Sequence, residues 1–130
     1  MSLTLAAANQ LVNSAINEAV KSGFAISVSV CDANGRLIAH QRMDGVFAEA
    51  SLGSIGKAIA TISLGHASGD SPTAPNRYAA GEVIAEGAPV INRWGGLPIL
   101  QSGQLIGAIG VSGAPTNEQD EMCARAALGI

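Results

Sequence analysis

Aromatic side chains are almost missing from this chain: one Trp, one Tyr and two Phe, 3% of 130 residues. That removes the ring platform on which single-strand nucleic-acid binders stack bases. Charge is scarce too, 13% of residues with a net of −3 and no basic cluster. Nucleic acid and anionic membrane are therefore not expected partners. Only two cysteines occur, Cys31 and Cys123, with no CxxC pair. Free thiols in a reducing, cytoplasmic setting are the expectation. No basic stretch followed by an apolar run marks a signal peptide. No segment approaches the roughly 18 apolar residues of a membrane span.

What the chain has is small apolar residues. Hydrophobic content is 48%, and 23 Ala and 16 Gly account for much of the rest of its character. Mean hydropathy is +0.31, so the chain is not disordered by composition. Its length suits one domain, residues 1–130, burying roughly two-thirds of its unfolded surface.

Residues 3–22 carry apolar positions at helical spacing (Leu5, Ala8, Leu11, Val12, Ala15, Ile16, Ala19), with Ser2 or Thr4 to start the helix and Gly23 to stop it. Phe24, Ile26, Val28 and Val30 then alternate with Ala25, Ser27, Ser29 and Cys31, the period of a strand. Asn34-Gly35 signals a hairpin returning through Arg36–Arg42. Residues 47–67 read as a second helix with Gly53 and Gly56 inside it. Each costs about 1 kcal/mol relative to Ala, which argues that this helix lies very close to another backbone. A loop over 68–76 and a short helix over 77–86 follow. Residues 88–94, 97–101 and 104–111 read as strands. Thr116 and Gln119 match a capping box opening a last helix to about Leu128. Hairpins dominate, so the expected fold is α+β with a largely antiparallel sheet.

Lys57 is the sole charged side chain between Ala50 and Gly69. It reads either as a carboxylate anchor or low-pKa amine in a pocket, or as an apolar stem with its head in water. Arg42 offers a planar fork to a carboxylate. Asp44 is a base or a partner for Arg42, unless Asp44-Gly45 is simple turn chemistry. The glycine-dense stretches Gly95-Gly96-Leu97-Pro98 and Gly107–Gly113 suit close backbone approach, either to a ligand or to a helix. Gly96, Pro98, Ser112 and Gly113 are the ligand-binding candidates there. Asp120 either complements the dipole of the last helix or reaches a pocket to work with Lys57 as acid or base. His40 and His66 share no metal-ligand spacing, and no dedicated metal site is expected. They and Tyr78 remain possible iron ligands for a haem.

Several of these residues also carry a family resemblance. Val28-Ser29-Val30-Cys31-Asp32-Ala33-Asn34-Gly35, Arg42-Met43-Asp44-Gly45, Ala50-Ser51 with Lys57-Ala58, Gly95-Gly96-Leu97-Pro98, and Gly107–Gly113 with Gln119-Asp120-Glu121 resemble the GlcG/HbpS-like family over nearly the whole chain. This family is often labelled a haem-degrading domain, and a related domain follows some cobalamin adenosyltransferases. The resemblance implies a profilin-like fold, a five-stranded antiparallel sheet flanked by helices in α/β/α layers. It also implies assembly into tetramers or larger. After the Lys57 helix this chain departs from the pattern: Leu64-Gly65-His66-Ala67-Ser68-Gly69-Asp70 stands where members commonly carry a Phe-Gly-Arg-Pro-like stretch.

Three functional readings follow. The first is an oligomeric small-molecule-binding protein whose ligand is haem, another tetrapyrrole or a small organic acid. The second is a small enzyme of tautomerase, hydrolase or deaminase type. It would act on an unsaturated or hydroxy acid, with Lys57, Asp120 and Asp44 catalytic and Arg42 holding carboxylate. The third is a structural subunit without activity.

Overall fold

The computed structural model describes residues 2–69 and 88–130. The short helix expected over 77–86, Tyr78 and most of the loop at 68–76 lie outside those residues. Three helices and four strands follow in order: α1 (Leu5–Ser22), β1 (Ser27–Asp32), β2 (Leu37–Arg42), α2 (Ala50–Leu64), β3 (Gly96–Gln101), β4 (Gln104–Ser112) and α3 (Asn117–Leu128). The strands form one antiparallel sheet in the order β2-β1-β4-β3.

Local signals act where the sequence places them. The Thr4 hydroxyl accepts the Ala7 N–H at 3.1 Å and starts α1. The Asp32 carboxylate accepts the N–H groups of Asn34 and Arg36 at 2.9 and 3.0 Å and shapes the β1–β2 turn. The Thr116 hydroxyl accepts the Gln119 N–H at 3.1 Å and opens α3.

The period-two alternation of β1 sorts two chemistries onto two faces. Val28 and Val30, with Ile109 and Val111 of β4, meet Ala8 and Val12 of α1 and Cys123 and Ala124 of α3. Each of these valines and isoleucines is fully buried, a contribution of about 1.5–3 kcal/mol apiece. The opposite face shows Ser27, Ser29, Cys31, Ala108 and Gly110 to α2. The layers are thus α1 and α3, sheet, α2. A Cβ on Gly110 would come within 2.7 Å of the Ala58 nitrogen and closer still to the Ser54 carbonyl. A Cβ on Gly53 would stand 2.5 Å from Ser112 Oγ. Of the two glycines inside α2, Gly56 lies against the Pro89 backbone carbonyl, whereas Gly53 makes room for the Ser112 side chain.

Three expectations need correction. Residues 88–94 are not a fifth strand. Pro89 makes only an isolated bridge, and the segment follows α2 instead. The Ile91 N–H donates to the Gly56 carbonyl at 3.2 Å, and Ala88 and Val90 cover Ile55 and Ile59. Its apolar residues serve a helix rather than a ladder. The first strand starts at Ser27 rather than Phe24, because the Phe24 N–H still closes α1 by donating to Ala19 O at 3.1 Å. The second helix spans 50–64 rather than 47–67. Residues 47–49 form tight turns ahead of it, and Gly65 at φ +78° ends it before His66. Beyond that end, the Ser68 hydroxyl donates to Arg93 O and accepts the Gly96 N–H at 2.9 Å. The Trp94 ring lies flush on Gly69, where no Cβ would fit.

Candidate functional site

Two polar clusters lie beneath α2. The first centres on Lys57. Its Nζ donates to the Val111 carbonyl at 2.9 Å, to Asp120 Oδ2 at 2.9 Å and to Asn117 Oδ1 at 3.4 Å. Three ammonium protons thus meet three acceptors. Asp120 Oδ1 accepts the Ala114 N–H at 2.9 Å. Both side chains are 3% exposed. Burial pushes the Lys57 ammonium below its ordinary range and the Asp120 carboxyl above its own, while their mutual attraction opposes both shifts. The cluster ties α2 to the end of β4 and to the first turn of α3.

The glycine-dense candidates surround this pair. A Cβ on Gly95 would stand 2.9 Å from Lys57 Cδ, and one on Gly96 would stand 2.5 Å from Thr61 Oγ1. These glycines make room for the protein's own side chains. Ser112 faces Gly53 of α2, and Gly113, at φ +103°, lies under Val46. Pro98 pairs with Ala108 on the edge strand β3, where its missing N–H costs little.

The second cluster sits nearer the N-terminal end of α2. Ser29 of β1 and His40 of β2 are cross-strand partners, and Ser29 Oγ meets His40 Nδ1 at 2.7 Å. Ser29 Oγ also meets Ser54 Oγ of α2 at 2.8 Å, and Ser27 Oγ meets it at 3.2 Å. The Ser54 hydroxyl donates to the Ser51 carbonyl at 2.9 Å. All three serines are fully buried; the imidazole is half-buried. Arg42 pairs with Ser27 across the same strands and so shares a sheet face with His40, two residues away. Burial, and then the Arg42 charge, hold the His40 imidazole below its ordinary value, so it is neutral at pH 7.

Arg42 is exposed, and among the described residues no ion pair or hydrogen bond joins it to the Lys57 cluster. Asp44 is exposed in the turn after β2, beside Gly45 at φ +86°. His66 stands beyond the C-terminal end of α2, its Nδ1 3.0 Å from Ala67 O. The structure therefore joins Lys57 to Asp120, places Gly96 and Ser112 around α2, and sets Arg42 with His40. Sequence reasoning missed Ser27, Ser29 and Ser54 as a connected group. The available signal was the run of small polar residues on one face of β1, opposite His40.

A separate open cavity of about 390 Å³ lies between the start of α1 and β3, lined by Leu3, Leu11, Leu100 and Ile106 with Thr4 and Gln101. Among the described residues no titratable side chain lines it. Among the described residues no three His, Cys, Asp or Glu side chains gather to hold a metal ion, and no helix is long and apolar enough to cross a membrane. Cys31 and Cys123 are buried, and burial pushes each thiol up to about 12.

Comparison with known proteins agrees with this architecture. Protein GlcG of Escherichia coli K12 is 34% identical over 106 residues, covering 81% of this chain and 77% of GlcG. The crystal structure of HbpS superposes with a TM-score of 0.83 at 29% identity, covering 99% of this chain and 89% of HbpS. The PduOC chain, crystallised as a haem complex, shares the fold with a TM-score of 0.80 at 24% identity, covering 99% of this chain and 94% of its own. The family model described as "Haem degrading protein HbpS-like" matches residues 3–129, and the chain belongs to that family.

Proposed function

We propose that this chain is a small-molecule-binding protein that takes an anionic organic ligand, haem or another tetrapyrrole first, on the β2 face that carries His40 and Arg42. The observation that carries this reading is the pairing itself. A half-buried neutral imidazole is anchored through one ring nitrogen, and an exposed guanidinium stands beside it. The donor set fits haem: an imidazole for the iron and a planar cation for a propionate. A single imidazole cannot build a metal site alone, and no larger ligand cluster exists among the described residues. An iron that brings four ring nitrogens is the metal chemistry one histidine can serve. His40 would hold the iron and Arg42 a propionate, and the bound haem would supply redox chemistry. Haem is also named in the family's description. Small organic acids are the second ligand class, on the strength of Arg42.

Catalysis through Lys57 and Asp120, with Asp44 as a further base, is the competing reading. It draws on the opposed shifts of the buried pair. It requires a substrate to displace contacts that already use every ammonium proton. Assembly into tetramers or larger is part of the proposal. Exposed Leu5, Val20, Leu100 and Ile130 supply apolar surface for it.

Hemin titration followed by absorbance tests this. The expected result is a saturable, shifted Soret band at one haem per one or two chains, weakened by His40→Ala and by Arg42→Ala. A featureless, non-saturating titration rejects haem and moves the search to unsaturated and hydroxy acids. Turnover of such an acid that is lost in Lys57→Met protein still folded by circular dichroism would support the enzyme reading instead.

A further inference from the structure

The hydrogen-bond chain under α2 contains more contacts than it has hydroxyl protons. Four contacts join it: His40 to Ser29 at 2.7 Å, Ser29 to Ser54 at 2.8 Å, Ser27 to Ser54 at 3.2 Å, and Ser54 to the Ser51 carbonyl at 2.9 Å. Three serines supply three protons, one each. A carbonyl oxygen only accepts, so the Ser54 proton goes to Ser51. Ser27 and Ser29 then donate to Ser54, whose two lone pairs take both. The Ser29 proton is now used, and the shortest contact of all, to His40 Nδ1, needs a proton from the ring.

The reverse arrangement fails at a definite place. If Ser29 donates to the imidazole, either the 2.8 Å Ser29–Ser54 contact or the 2.9 Å Ser54–Ser51 contact has no proton in it. Oxygen lone pairs then face each other with no proton between them, at the buried Ser29–Ser54 contact or at the part-buried Ser51 carbonyl. Ser27 also approaches Gln41 O at 3.5 Å, which adds an acceptor and only increases the shortage of protons.

We infer that Ser29 and Ser54 hold His40 as its Nδ1–H tautomer, leaving the Nε2 lone pair open as the atom that takes the ligand's metal. The inference rests on the reading of this face under Proposed function and deepens it. Metal-binding histidines commonly donate their second ring N–H to a protein acceptor, which fixes tautomer and orientation. Here that acceptor is a serine, backed by a second serine on the helix above. In the opposite tautomer Nε2 carries a proton and cannot bind a metal. Ser29 and Ser54 act as positioning residues: neither touches the ligand.

Long-range proton–nitrogen correlation spectra of the full chain, labelled with nitrogen-15 in histidine and free of ligand, test this at pH 7.5. The His40 signals are assigned by their loss in His40→Gln. The expected spectrum shows Nδ1 protonated and Nε2 bare. Ser54→Ala leaves Ser29 against the ring but removes its acceptor. It is expected to move His40 to the Nε2–H form and to weaken hemin binding about 10- to 100-fold. A wild-type ring protonated at Nε2, or a Ser54→Ala ring unchanged from wild type, overturns the inference while leaving hemin binding to be judged separately. An Nδ1–H ring in a protein that does not bind hemin overturns the assignment of a metal to Nε2 and the haem reading together, and leaves the tautomer standing.

Discussion

The two polar clusters under α2 are buried by the same helix and made of opposite materials. Around Lys57 the groups are ionic, and every strong donor has its acceptor within the protein. Around Ser54 they are neutral hydroxyls in a chain that runs out to a half-buried ring. A charge buried in a protein must be closed on all sides, because an unpaired ion there costs several kcal/mol. A hydroxyl chain carries no such demand, and it can end at the surface on a group with one atom to spare. The difference teaches how burial treats a charge and a hydroxyl. Lys57 stands out in the sequence because it is charged among apolar neighbours, and for that same reason the fold has to satisfy it completely.

The sharpest way to break this comparison is Lys57→Met, which strands the Asp120 carboxyl in the interior. Urea unfolding is expected to show a loss of about 3–5 kcal/mol, with most of it recovered in the double variant Lys57→Met/Asp120→Leu. A single variant that costs under about 1 kcal/mol would mean the pair is not closed. Gly110→Ala comes next. Its methyl meets the backbone of Ser54 and Ala58, and overpacking of this kind costs about 1–3 kcal/mol. Because it lifts α2 from the sheet where Ser54 meets Ser29, hemin binding should weaken with it.

Arg42→Ala probes the open side. It should leave the urea midpoint within about 0.5 kcal/mol of the parent and weaken binding of hemin or an organic acid about tenfold, the worth of one charged hydrogen bond. A change in stability instead would make Arg42 structural. The smallest effect is in pH. Burial and Arg42 depress the native His40 value below the 6.5 of an exposed histidine. As pH falls below 6.5 the unfolded chain therefore gains a proton before the folded one does. Stability contributed by neutral His40 is complete above 6.5 and is lost down to the native value. Thermal melts from pH 7.5 to 5 should show this decline, and His40→Gln should lack its share of it.

Much of the frame was legible in the sequence because its signals are local. The Thr4 and Thr116 caps, the Asn34-Gly35 hairpin and the alternation of β1 depend on neighbours a few residues away. The glycines of α2 were informative for a different reason: a cost of about 1 kcal/mol each calls for a compensating close approach, and it happens where Gly53 meets Ser112 and Gly56 meets the Pro89 carbonyl. The strand expected at 88–94 failed because a short apolar run suits any apolar surface, and the surface that Ala88 and Val90 met was Ile55 and Ile59. The Lys57–Asp120 contact spans 63 positions, and no local pattern encodes such a pairing, although both residues were singled out by type. The serine chain was harder still. Serine is ordinary in a strand, and only the register of Ser29 with His40 and its meeting with Ser54 turn three common residues into a group.

The chain's single tryptophan rests on Gly69 and keeps 44% of its surface exposed. Its fluorescence is therefore a one-residue signal from the junction of residues 68–69 with 93–96, remote in character from the valine-rich layer under α1 and α3. Emission and far-ultraviolet circular dichroism thus watch different parts of the molecule during unfolding. If the two curves coincide, that junction melts with the core and the transition is cooperative throughout. If emission changes first, the Trp94 contact opens as a separate, weaker unit, and tryptophan quenching by hemin would then report on a segment that moves independently of the sheet.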